Sequence, residues 1–86
     1  MSETYHGPAD VALLFIAGEQ ARTEYLSGQR VLLEPRMPGL YALTGLPLTL
    51  DGCARAQVEL PDGRVLAGAV TSTGPGRLLF RLEGEG

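Results

Sequence analysis

The chain has 86 residues, seven basic and ten acidic, with a formal net charge of −3, and 44% of it is hydrophobic. That length holds one domain, residues 1–86, and that apolar fraction excludes an intrinsically disordered chain, which lacks the apolar surface to offset its ordering entropy. No apolar run approaches the roughly 18 residues of a membrane-spanning helix, so no membrane insertion is expected.

The ends, residues 1–9 and 83–86, are polar or glycine-rich and read as disordered tails. Met1-Ser2-Glu3-Thr4-Tyr5-His6 has no basic stretch, so no secretory signal is expected. Residues 10–26 admit two readings. Val11–Ala17 is a buried strand, turned by Gly18-Glu19 into Gln20–Leu26; or the stretch is a helix, with Asp10 as N-cap and Gly28 just past its end. The helix puts Val11, Leu14, Phe15, Ala21 and Tyr25 on one face, but Gly18 in its interior costs about 1 kcal/mol. Two strands fit better, because every later segment is strand-like.

Gln29–Glu34 reads as a strand that Pro35 stops or confines to an edge. After the Pro38-Gly39 turn, Leu40–Leu43 is a short strand. Leu46-Pro47-Leu48-Thr49-Leu50-Asp51-Gly52 is a connector whose leucines tuck under the sheet. From Ala54 to Leu60 apolar and polar residues alternate: Ala54, Ala56, Val58 and Leu60 share one face, Arg55, Gln57 and Glu59 the other. Pro61-Asp62-Gly63 is a tight turn, and Arg64–Thr71 the return strand. Gly68 within it marks a bulge or a close backbone approach. Ser72–Gly76 turns again, and Arg77–Leu82 completes a meander with Leu78, Phe80 and Leu82 inward and Arg77, Leu79 and Arg81 outward. Short strands in this number predict an all-β fold, a small antiparallel β-barrel of five to six short strands, since closure removes exposed edges.

Chemistry is sparse. His6 is the sole histidine and Cys53 the sole cysteine. A histidine-based triad and a His- or Cys-rich metal site are therefore not expected. No catalytic residue, metal or cofactor is implied. A single cysteine cannot form an internal disulfide, which suits a reducing, cytoplasmic location. All seven basic residues are arginine. A GC-rich coding sequence accounts for that bias, although arginine also suits bidentate anion binding. The acidic balance repels phosphate backbones at long range, so nucleic acid is not the expected partner. A domain this short buries only about 60–65% of its unfolded surface. Self-association as a homodimer through a leftover apolar face is compatible with that size.

From Leu33 to Phe80 the chain resembles a PilZ domain. Glu34-Pro35-Arg36-Met37-Pro38-Gly39-Leu40-Tyr41 stands where that family carries D/N-x-S-x-x-G followed by Leu-aromatic. Leu46–Gly52 resembles its proline-bearing connector, and Val58-Glu59-Leu60-Pro61-Asp62-Gly63 its strand and hairpin. The resemblance implies a six-stranded barrel. Many such barrels bind cyclic di-GMP, but Glu34 stands at the Asp/Asn position, Arg36 at the Ser position, and only Gly39 matches. The family's Arg-x-x-x-Arg has no counterpart, because the first arginine is Arg22. The expectation is a PilZ-like barrel that does not bind cyclic di-GMP. Divergent members of that kind act as bacterial adaptors, for example in type IV pilus systems. Val58–Gly68 also resembles the first motif of Sm-like RNA-binding barrels, whose second motif is missing.

The expected function is a non-enzymatic protein-interaction or adaptor module whose partner is another protein. Val31, Leu33, Arg36, Tyr41, Arg77, Leu79 and Arg81 are the candidate interface residues. A nucleic-acid-binding Sm-like or SH3-like barrel and a small-ligand-binding barrel are the alternatives.

Overall fold

The computed structural model describes residues 4–83. Alternating apolar and polar residues build six strands: β1 (Tyr5–Ala17), β2 (Gln20–Met37), β3 (Leu40–Thr44), β4 (Cys53–Glu59), β5 (Val65–Gly74) and β6 (Arg77–Leu82). They form a closed antiparallel barrel in the order β1-β2-β3-β6-β5-β4, with β1 pairing to both β2 and β4. Among the described residues there is no helix, so residues 10–26 are the β-hairpin, not the helix.

The interior is filled by side chains from all six strands. Leu13 of β1, Val31 and Leu33 of β2, Leu43 of β3, Val58 of β4, and Leu78 and Phe80 of β6 are its largest fully buried groups. Tyr41 stacks on Phe80 with ring centroids 6.0 Å apart. Strand β5 packs Leu66 and Val70, both half-buried, against the core and has Gly68 between them, where its backbone presses on β6. A Cβ at Gly68 would lie 1.6 Å from the Arg81 carbonyl oxygen, so the expected close approach is present. Leu46 and Leu50 of the connector are buried beneath the barrel, as expected, and Leu48 is half-buried. The connector is fastened at both ends. Gly45 and Leu46 donate their amides to the Gly76 carbonyl, and Gly52 accepts from Ile16. The Asp62 carboxylate accepts from the Arg64 amide at 3.0 Å and ties the β4–β5 turn.

Several boundaries differ from the sequence reading. Strand β1 begins at Tyr5, and Gly7 and Ala9 are buried, so most of the supposed N-terminal tail belongs to the sheet. The Glu83 amide bonds the Ala67 carbonyl at 3.1 Å. Residues 1–3 and 84–86 of the expected tails lie outside the described residues. The separate strands Gln20–Leu26 and Gln29–Glu34 are one 18-residue strand. A bulge joins them: the pairing steps from Ala9–Gln29 to Val11–Leu26, giving β2 one extra residue. Gly28 takes a φ of 62° there, and its amide donates to the Asp10 carboxylate at 2.9 Å. Pro35 does not stop the strand. It pairs with Tyr41 beside a second bulge at Arg36, where a missing amide is tolerated. A third bulge, where Phe15 pairs with Cys53 and Leu14 with Arg55, buries Cys53 and leaves Ala54 half-buried, not inward as the alternation suggested. Strand β5 runs on through Ser72 to Gly74, leaving Pro75-Gly76 as the turn.

Phe80→Ala should lower unfolding free energy by about 3–5 kcal/mol. Gly68→Ala should cost about 3 kcal/mol or more, since the backbone of β6 must move. Urea titration followed by circular dichroism reads both. A Gly68→Ala midpoint equal to wild type would show that β5 and β6 do not meet as described.

Candidate functional site

A barrel packed with its own side chains leaves the outer surface for recognition. On β3, Tyr41 and Leu43 point inward and Leu40, Ala42 and Thr44 outward. Yet Leu40 and Ala42 are only 7% and 5% exposed. Strand β3 is thus apolar and buried on both faces. Beside it on β6 lie the outward residues Arg81, Leu79 and Arg77, paired with Leu40, Ala42 and Thr44 respectively. The outer row continues from Leu79 to Ser72 and from Arg77 to Gly74 on β5.

These residues form a groove of about 380 Å³. Leu40, Ala42 and Leu79 make its apolar floor. Thr44, Ser72 and Thr73 add hydroxyls, and Arg36 and Arg77 stand along it. Arg36 arrives from the bulge that follows Pro35 and lies 3.7 Å from Glu34. The side chain of Arg77 lies against Gly74, where no side chain competes. Arg77 and Arg81 have no ion-pair partner among the described residues, whereas Arg55 is held by Glu83 through a two-pronged contact. Both members of that pair shift accordingly: hydrogen bonding to Arg55 holds the Glu83 carboxyl below the usual range, and Glu83 raises Arg55. A chain of net charge −3 therefore presents a locally cationic, apolar-floored groove. A wider depression of about 540 Å³, between the connector and the β5–β6 turn, carries Asp51 as its one ionisable group.

The seven candidate interface residues separate cleanly. Arg36, Arg77 and Leu79 line the groove, and Arg81 continues its row beside Leu40. Val31 and Leu33 are 1% and 2% exposed inside the barrel and present nothing to a partner, which corrects their assignment. Their neighbours Arg30 and Leu32 face out instead. Tyr41 is half-buried and packs inward against the core. Leu40, Ala42 and Thr44 were missed, although the unbroken apolar run Leu40-Tyr41-Ala42-Leu43 is itself the signature of a strand covered on two faces.

Reactive chemistry does not converge. Among the described residues no group of three or more His, Cys, Asp or Glu side chains is placed to hold a metal ion. His6 is exposed on β1 opposite Leu32. Cys53 is buried, and burial pushes its thiol up.

In comparisons with known proteins, the chain matches no family model, no curated protein and no solved structure.

Two measurements follow from these side chains. Cys53 should react with Ellman's reagent at neutral pH only on unfolding, with a rate that rises with urea. Because the Glu83 carboxyl is depressed in the folded state, its contribution to stability is complete above the ordinary glutamate pKa of about 4.3. It is lost as pH falls through and below that value. Glu83→Gln should therefore flatten the fall in melting temperature below pH 5; an unchanged profile would show that the Arg55 contact does not persist in solution.

Proposed function

We propose that the protein is a non-enzymatic interaction module that docks a short acidic and apolar segment of another protein in the β3–β6 groove. The observation that carries this reading is the pairing of an apolar floor, Leu40, Ala42 and Leu79, with arginines at Arg36, Arg77 and Arg81, of which only Arg36 has an ion-pair partner, Glu34, among the described residues. The floor supplies desolvation, and guanidinium groups grip carboxylates bidentately. Charge of one sign around a low-dielectric cleft draws an opposite charge toward it. A preformed groove also binds without ordering the barrel, which keeps the entropic cost on the peptide side.

The closed six-stranded barrel is the architecture that the PilZ resemblance implied, and it supports an adaptor of that type. Glu34 and Arg36, at the positions where the family carries ligand residues, contact one another at 3.7 Å, which supports an absence of cyclic di-GMP binding. The buried, single cysteine suits a reducing cytoplasm.

Selection of peptides from a random library on the immobilised protein should enrich sequences with one or two aliphatic residues next to Asp or Glu. Amide chemical shifts on titrating such a peptide should move at Ala42, Arg77 and Leu79. The double variant R77E/R81E should weaken binding at least tenfold, and Leu79→Asp should abolish it. Enrichment of basic peptides, or shifts confined to another face, would overturn the assignment. Isothermal calorimetry with cyclic di-GMP should show no binding heat at micromolar protein; a micromolar affinity would reverse that part of the reading.

A further inference from the structure

Barrel closure consumes only part of β2. Its pairing with β3 runs from Leu32–Thr44 to Met37–Leu40, while its pairing with β1 extends to Ala17–Gln20. The outer edge of Gln20–Gly28 consequently meets no strand among the described residues. Unpaired edges of this length template further pairing, and most folds cover or shorten them.

The direction of the backbone groups on that edge follows from the ladder. Ile16 donates its amide to Gly52, on the side away from β2, so Ile16 and Ala21 are a pair without mutual hydrogen bonds. Alternation along an antiparallel ladder then turns the N–H and C=O groups of Ala21, Thr23 and Tyr25 toward the open edge. Their side chains lie on the outer surface with those of Ala12, Leu14 and Ile16, to which β1–β2 pairing joins them. Apart from Thr23 this strip is formed by Ala, Leu, Ile and Tyr side chains, and Tyr25 is 76% exposed. On the opposite face of this arm, the part of the β1–β2 hairpin between the Gly28 bulge and the Gly18-Glu19 turn, Arg22 lies over the Phe15 ring at 4.5 Å and within 3.2 Å of Glu24.

We propose that the open edge of β2 is a self-association surface, at which two copies of this chain pair antiparallel about a two-fold axis through Thr23. A continuous sheet keeps each residue opposite one of like facing, so the allowed registers differ by steps that bring different residues onto the axis. Centred on Thr23, Arg22 of each copy faces Glu24 of the other, and Tyr25 of each covers Ala21 of the other next to Ile16. One step either way sets Arg22 against Arg22 or Glu24 against Glu24. Like charges directly opposite are destabilising and opposite charges stabilising, so the edge specifies its own register. The two charges guard the edge against other strands while matching a second copy. The surface is independent of the β3–β6 groove, which lies at the other end of β2.

Sedimentation velocity on the full chain should show a reversible monomer–dimer shift below about 1 mM. The variants R22E and E24R should each be monomeric at concentrations where the wild type is dimeric. Mixed one to one, they should form a heterodimer, because each then presents the other's complement, and the double variant R22E/E24R should dimerise again. Thr23→Pro removes an amide that faces the open edge and not β1, so it should stay folded by circular dichroism and be monomeric. A wild-type monomer throughout the range would overturn the proposal. So would single charge reversals that remain dimeric, a mixture that fails to associate, or a heterologous chain-like polymer.

Discussion

Everything in this molecule depends on β1 reaching two neighbours at once. From Asp10 to Phe15 it is bonded to β4, while from Tyr5 to Ala17 it is bonded to β2. That double pairing turns a six-stranded sheet in the order β1-β2-β3-β6-β5-β4 into a closed barrel. Once closed, the interior has a single filling: Phe80, Leu13, Leu43 and their neighbours occupy it, and β5 must approach β6 closely enough that Gly68 alone is accommodated. An 86-residue chain has few other means of burying apolar surface, because small domains leave a large fraction of it exposed.

Closure also decides where function resides. A lumen filled by buried leucine, valine and phenylalanine side chains moves recognition to the outside, and the outer surface is not uniform. Strand β3 is short and lies between β2 and β6, so its outward residues are walled by their neighbours. That is why Leu40 and Ala42 are buried without belonging to the central core. Arginines collect around them because β6 sets Arg77 and Arg81 on its outer face on either side of Leu79, and because the bulge beyond Pro35 delivers Arg36 to the same place. The groove is thus a by-product of strand length and a bulge, and its chemistry comes from strands far apart in the chain.

What the amino-acid sequence disclosed, and what it hid, follows one physical division. Strand β6 was legible to the residue, since Leu78 and Phe80 alternate with Arg77 and Arg81 without interruption. The turn at Pro61-Asp62-Gly63 and the packing at Gly68 were legible for local reasons: special backbone demands leave a compositional mark. Bulges leave a weaker mark, because an extra residue on one strand has meaning only against its partner. So the alternation points Ala54 inward when Cys53 is the buried residue, and Ser27-Gly28 reads as a break in what is one strand, β2. Tyr5–Ala9 reads as loose because its burial comes from pairing with β2, twenty or more residues later. The candidate site suffered in the same way. Arg36, Arg77, Leu79 and Arg81 were recognisable as outward residues, but Val31 and Leu33 could not be assigned a face without knowing the register of β2.

The bulge clamped by Asp10 has a further consequence. On its C-terminal side the odd-numbered residues Val31 and Leu33 face inward; on its N-terminal side the even-numbered Arg22, Glu24 and Leu26 share the face of Phe15, Leu13 and Val11. Ser27-Gly28 acts as a phase shifter between two halves of one strand. Loss of a single residue there would invert the arm, sending Tyr25 toward the lumen side and Arg22 outward. The arm can therefore drift by substitution but not by length, and insertions or deletions between Leu26 and Gln29 should be the rarest changes this chain tolerates.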